Sequence, residues 1–109
     1  MIMRYWRGWT AAGDAEVYER LLIDEVLPSI AARGVDGYLG SYVLRRDIGD
    51  EVEFAVLMRF TSIEAVRDFA GDQHERAYVP PSARAVLSRF DERAVHYEAL
   101  RTPEQTRPA

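Results

Sequence analysis

The segment Glu51–Phe60 constrains the fold more than any other stretch of this chain. Phe54, Val56 and Met58 alternate with Ala55 and Leu57, so a strand here is apolar on both faces. Such a strand wants both faces covered. The chain has 109 residues, which fits one domain, and the helices legible in it suffice for one face only. The open face is therefore expected to be closed by a second copy of the chain or by a ligand. A homodimer is the better expectation, because closed two-fold dimers are the commonest oligomers. Residues 2–10 agree, with Tyr5 and Trp9 opposing Trp6.

The remaining elements follow from periodicity and punctuation. Residues 2–10 read as a strand, broken by Ala11-Ala12-Gly13, with Asp14 placed to cap the next helix. Val17, Tyr18, Leu21, Leu22, Val26 and Ile30 recur at helical steps. Pro28 lies inside that pattern; an interior proline costs about 3 kcal/mol, so a kink or a helix in two pieces is predicted. Strands at 38–46 and Glu51–Phe60, joined through Asp47-Ile48-Gly49-Asp50, form a hairpin. Thr61-Ser62-Ile63-Glu64 fits a capping box, Ile63, Val66, Phe69 and Ala70 give the buried stripe, and Gly71 ends the helix. A polar loop over 72–81, a short helix at 82–89 and a last strand at 93–100 complete a single domain over residues 1–100. Residues 101–109, with Pro103 and Pro108, are expected to be a disordered tail. The order β-α-β-β-α-(short α)-β predicts an α+β sandwich with a four-stranded, largely antiparallel sheet and helices on one face.

Composition excludes more than it suggests. A net charge of −4 argues against nucleic acid or an anionic membrane as partner. No apolar run approaches the ~18–20 residues of a membrane span, and the N-terminus has no signal-peptide pattern, so a soluble cytoplasmic protein is expected. With no Cys, disulfides, thiolate nucleophiles, iron–sulfur sites and Cys-ligated zinc are out. All 14 basic residues are Arg, which removes Schiff-base chemistry and a P-loop lysine. There is no Asn, and His74 and His96 have no metal-ligand spacing around them. No metal site is expected from these residues.

Trp6-Arg7-Gly8-Trp9-Thr10, the hairpin Leu44-Arg45-Arg46-Asp47 to Gly49-Asp50 with Glu53-Phe54, Phe69-Ala70-Gly71 and the closing His96-Tyr97-Glu98 resemble the antibiotic biosynthesis monooxygenase-like domains. The resemblance spans roughly residues 2–100. It implies a ferredoxin-like fold paired as a dimeric α+β barrel. Some relatives oxidise aromatic polyketide precursors without metal, flavin or haem; others degrade haem. The haem-degrading relatives use an Asn, a Trp and a His around the porphyrin. This chain has no Asn, and Phe69 stands about where the Trp would fall, so haem degradation is not assigned.

The candidate site residues are then His96, Arg59, Trp6, Tyr78 and His74. His96, with Ala94 and Glu98 on its face, has the chemistry of an oriented general base, against a purely structural role. Arg59 ends the row of Ala55 and Leu57 as an anion anchor, or as a cation reaching water. Trp6 offers a ring to stack on a planar substrate, or core packing; Arg4 shares its face and could hold a phenolate or carboxylate, or pair with an acid. His74 and Tyr78 lie in the loop after the second helix, a lid or a solvated surface. The leading expectation is a cofactor-independent monooxygenase on a small planar aromatic or polyketide-like compound, with His96 as base, Trp6 and Tyr78 holding the ring and Arg59 stabilising the enolate. A non-oxidative isomerase or cyclase, and a dimer that binds a small ligand without catalysis, are the alternatives.

Overall fold

The computed structural model describes residues 1–105. An antiparallel sheet carries the fold: β1 (Ile2–Ala11) in the interior, β3 (Glu51–Phe60) beside it, and β2 (Tyr38–Ile48) outside β3. The other edge of β1 is occupied by two short strands, β4 (Arg89–Phe90) and β5 (Val95–Glu98). They fill the expected fourth position as one interrupted strand. Helices α1 (Ala15–Leu21), α2 (Leu27–Ala32), α3 (Ile63–Ala70) and α4 (Pro81–Arg84) complete the domain. This is the α+β arrangement expected from the order of elements, with the ferredoxin-like fold that the resemblance implies.

Local details explain the boundaries. The first helix is divided by a π-helical segment, Leu22–Val26, just before Pro28. Proline has no N–H to donate and its ring crowds the preceding turn, so the wider segment accommodates it. Asp14 makes no side-chain cap; a 3₁₀ turn, Ala12–Asp14, leads into α1 instead. The cap of α3 falls one residue later than expected, with Ser62 Oγ accepting from Ala65 N–H at 3.2 Å. The β2–β3 turn contains Gly49 at φ +77°, a left-handed conformation that glycine adopts without a Cβ penalty. The helix expected at 82–89 is only the four residues of α4, because Arg89–Phe90 pairs with Gly8 and Trp9. In the tail, Pro103–Gln105 forms a 3₁₀ turn; the expectation of disorder for residues 106–109 lies outside the described residues.

Pairing fixes the two faces. Trp6 opposes Val56, Arg4 opposes Met58 and Gly8 opposes Phe54, so these residues share one face of the sheet. Tyr18 packs edge-on against Phe54 with centroids 4.9 Å apart, which puts the helices over that face. Phe54 and Phe60 are fully buried there; each such side chain contributes about 1.5–3 kcal/mol. The opposite face carries Met3, Tyr5, Tyr42, Leu44 and Leu57 by register. Val95 and Tyr97 join it from β5. Tyr42, Leu44, Val95 and Tyr97 are about half exposed, so the doubly apolar character of β3 extends to its neighbours. Among the described residues no helix is long and apolar enough to cross a membrane.

Candidate functional site

A cleft opens between the sheet and its helices. Arg4, Trp6, Val56 and Met58 form its floor, and Leu22, Val26 and Leu27 one wall. Phe69, Tyr78 and Pro80 stand on the other side. The interior leaves about 40 Å³ free, and about 530 Å³ is empty when the open mouth is counted. At about 10–15 Å³ per water the interior holds only a few waters. Tyr78 is half exposed and meets Phe69 edge-on at 6.3 Å; it is the lining side chain best placed to turn aside and widen the mouth.

The interruption between β4 and β5 builds the far side of the site. Residues 91–94 leave the sheet, and the loop after α3 is stitched to them: Ala77 N–H donates to Glu92 O at 3.0 Å and Ala94 N–H to Glu75 O at 2.7 Å. Trp6 Nε1–H donates to Asp91 O at 2.7 Å, so the indole is pinned at its polar edge while its ring faces the cleft. The same loop carbonyls, His74 O and Arg76 O, accept from Arg4.

Arg4 is the unusual group. It is only 3% exposed, and its described hydrogen-bond partners are two carbonyls and His96, with no carboxylate among them. Burial lowers its pKa to about 10, because nothing anionic compensates the lost hydration. Phe69 lies beneath the guanidinium at 5.5 Å. His96 stands opposite Arg4 in the β1–β5 register, and its Nε2 lies 2.9 Å from Arg4 Nη1. Arginine can only donate, so Nε2 accepts and the neutral ring carries its proton on Nδ1. Burial first, then the charge of Arg4 and the nearby His74, lowers the His96 pKa to about 4, with Glu75 acting weakly the other way. The His74 and His96 rings are 5.4 Å apart.

The expected site residues separate into two groups. Trp6 and Tyr78 line the cleft. His96 and His74 do not: His96 lies behind Arg4, with its accepting nitrogen engaged, and His74 contributes a backbone carbonyl to Arg4. The described hydrogen-bond partner of His96 is the cation Arg4, and Glu98 stands opposite Ile2 in the register. Arg59 is on the other face of the sheet, opposite Met3 and Gly40, with Nη1 3.8 Å from a Glu104 carboxylate oxygen. It cannot share a site with Trp6, because residues of odd and even position in a strand point to opposite faces. Of the helix residues in the wall, the sequence marks Leu22 and Val26 only as part of an amphipathic stripe and does not single out Leu27; such periodicity does not distinguish a core from a cavity wall. Among the described residues no three His, Cys, Asp or Glu side chains gather as a metal site would require.

No protein-family model and no curated protein matches the sequence. Solved structures do match the fold. A candidate antibiotic biosynthesis monooxygenase from Bacillus cereus superposes with a TM-score of 0.64 at 12% identity, covering 93% of this chain and 94% of that one. Rv0793 from Mycobacterium tuberculosis matches with a TM-score of 0.57 at 18% identity, covering 94% and 99%. The haem-degrader MhuD from Mycobacterium tuberculosis, solved with two haems in its active site, matches with a TM-score of 0.56 at 19% identity, covering 94% and 98%. The fold of this chain is similar to that of these three proteins over nearly its whole length.

Proposed function

We propose that the cleft binds a small planar aromatic or polyketide-like molecule and that the protein oxidises it with O₂, as a monooxygenase without a resident cofactor. The observation that carries this reading is the lining: Trp6, Tyr18, Phe69 and Tyr78 stand among aliphatic side chains around the cleft, with Arg4 at its floor, a surface suited to the faces and edges of an aromatic ring. The likeness in fold to a candidate antibiotic biosynthesis monooxygenase supports the reaction class. In such a reaction the acidic substrate enters as its anion, having lost its proton to solvent. The carbanion adds O₂ and takes up a proton to give a hydroperoxide. Cleavage of the O–O bond leaves one oxygen on the ring as a carbonyl and releases the other as water, while the protein's part is to hold the anion. Haem, which MhuD binds, does not fit these residues. No imidazole or thiol lines the cleft, and His96 Nε2 already accepts from Arg4.

A second copy of the chain covers the open face in this reading. Support comes from Tyr42, Leu44, Val95 and Tyr97, which form a half-exposed apolar surface on one face of the sheet.

The test is oxygen uptake by protein purified without added cofactor, screened against phenols and anthrones. Consumption of O₂ with formation of a ring-oxidised product is expected. Turnover that proceeds equally without O₂ overturns the oxidative reading in favour of an isomerase or cyclase, and a bound ligand recovered unchanged in air overturns catalysis altogether.

A further inference from the structure

Arg4 poses a physical question that the aromatic lining does not answer. A buried guanidinium is ordinarily paired with a carboxylate, since desolvating an unpaired charge is expensive. The chain has 18 acidic residues, and other arginines use them: Arg7 pairs with Asp91 at 2.9 Å and Arg45 with Glu16 at 2.9 Å. Arg4, the most buried of them, makes no ion pair among the described residues. A guanidinium has five N–H donors. Nη1 spends two on His74 O and His96 Nε2, and Nη2 spends one on Arg76 O. Nε–H and one Nη2–H remain, and the side chain lines the cleft.

We propose that Arg4 is the anion anchor of the cleft, taking the anionic oxygen of a planar carboxylate, phenolate or enolate on its two unspent donors, and that His96 is the positioning residue that aims it. This rests on the cleft being the binding site proposed above and adds the charge of its ligand. The design is consistent throughout. The carbonyls and the neutral imidazole hold the guanidinium in place without neutralising it, so its charge stays available to the ligand. A carboxylate in place of His96 would satisfy Arg4 and abolish that availability. Phe69 below the guanidinium and Trp6 beside it in the lining supply apolar surface for the ligand's ring.

The experiment measures binding of 2-naphthoate and of its neutral, ring-matched carboxamide by calorimetry at neutral pH. Naphthoate is expected to bind about ten- to a hundredfold tighter, the range for hydrogen bonds to a charged group. Arg4→Gln is expected to bring the two affinities together while carboxamide binding persists. Arg4→Lys, which keeps the charge but loses the planar fork, is expected to leave an intermediate preference and serves if Arg4→Gln does not fold. His96→Gln, which keeps an acceptor near the position of Nε2, is expected to retain the preference, and His96→Leu to weaken it. Equal affinity of the two probes in the unmodified protein overturns the anchor while leaving the aromatic site intact. Failure of both to bind overturns the anchor together with the aromatic site. A preference for naphthoate that survives Arg4→Gln also overturns the anchor, because another group must then hold the charge.

Discussion

Replacing His96 by Gln tests the electrostatics of the Arg4–His96 pair through stability alone, without a ligand. In the folded protein His96 faces Arg4, His74 and Glu75, and its pKa falls from 6.5 to about 4. The folded state thus resists a proton that the unfolded chain accepts. Above pH 6.5 the ring is neutral in both states and contributes nothing. As the pH falls from 6.5 toward 4, the unfolded chain gains the proton and stability drops; below 4 the full penalty is in place. The shift corresponds to at most about 3 kcal/mol, and solvent screening around a partly open ring lowers this to about 1–2 kcal/mol. His96→Gln keeps an acceptor for Arg4 and removes the titration. Urea unfolding of both proteins at pH 7, 5.5 and 4.5 is the assay. The variant is expected to gain about 1–2 kcal/mol relative to the parent on going from pH 7 to 4.5, or about 4–8 °C in Tm for each kcal/mol. Parallel pH dependences would refute the reasoning, because they would mean that the folded state protonates His96 as readily as the unfolded chain does.

Two further perturbations probe the frame around the site. In Gly8→Ala the new Cβ would lie 2.7 Å from Trp6 Cη2 and 3.0 Å from Leu87 Cδ2, and the indole is held by its bond to Asp91 O, so a loss of about 1–3 kcal/mol and a shifted tryptophan emission are expected in chemical denaturation. Leu44→Asp places a charge on the open apolar face; native mass spectrometry is expected to find the parent at twice 12.5 kDa and the variant as a single chain, and a parent of single mass would remove the second copy from the reading.

The fold was legible because its punctuation is strong. Alternation in Glu51–Phe60, the glycine of the hairpin and the periodicity from Val17 to Ile30 each specify one element, and they agree with one another. Pro28 even signals that the first helix cannot run undisturbed, and a π segment divides it before the proline. Misplaced boundaries come from competition that is visible only in three dimensions. Thr61 and Ser62 are both good caps, and the choice of Ser62 is made by the backbone, extended at φ −158° and ψ 168°. Residues 82–89 have helical character, but Arg89–Phe90 finds hydrogen-bond partners along the free edge of β1, which a four-residue helix leaves room for.

The site was less legible, and for a different reason. Trp6 and Tyr78 carry a signal in their own chemistry, since aromatic rings beside an apolar cleft are useful wherever they fall. Arg4 and Arg59 do not: both are arginines in strands with aromatic or apolar neighbours, and one residue of register decides which face each occupies. The interruption at residues 91–94 matters most here. It takes residues 91–94 out of the sheet, yet β5 resumes with His96 opposite Arg4. Glu98, two positions along the same strand, is drawn by sequence to His96 as its natural partner; the pairing sets Glu98 against Ile2 instead and gives His96 a cation. That exchange of partners changes the chemistry of the ring. An imidazole beside a carboxylate is made more basic, whereas one that accepts from a buried guanidinium is kept neutral and spent. The same exchange leaves Arg4 charged, buried and, among the described residues, without a counter-ion at the floor of the cleft, so the electrostatic demand of this pocket comes from the cation that His96 supports.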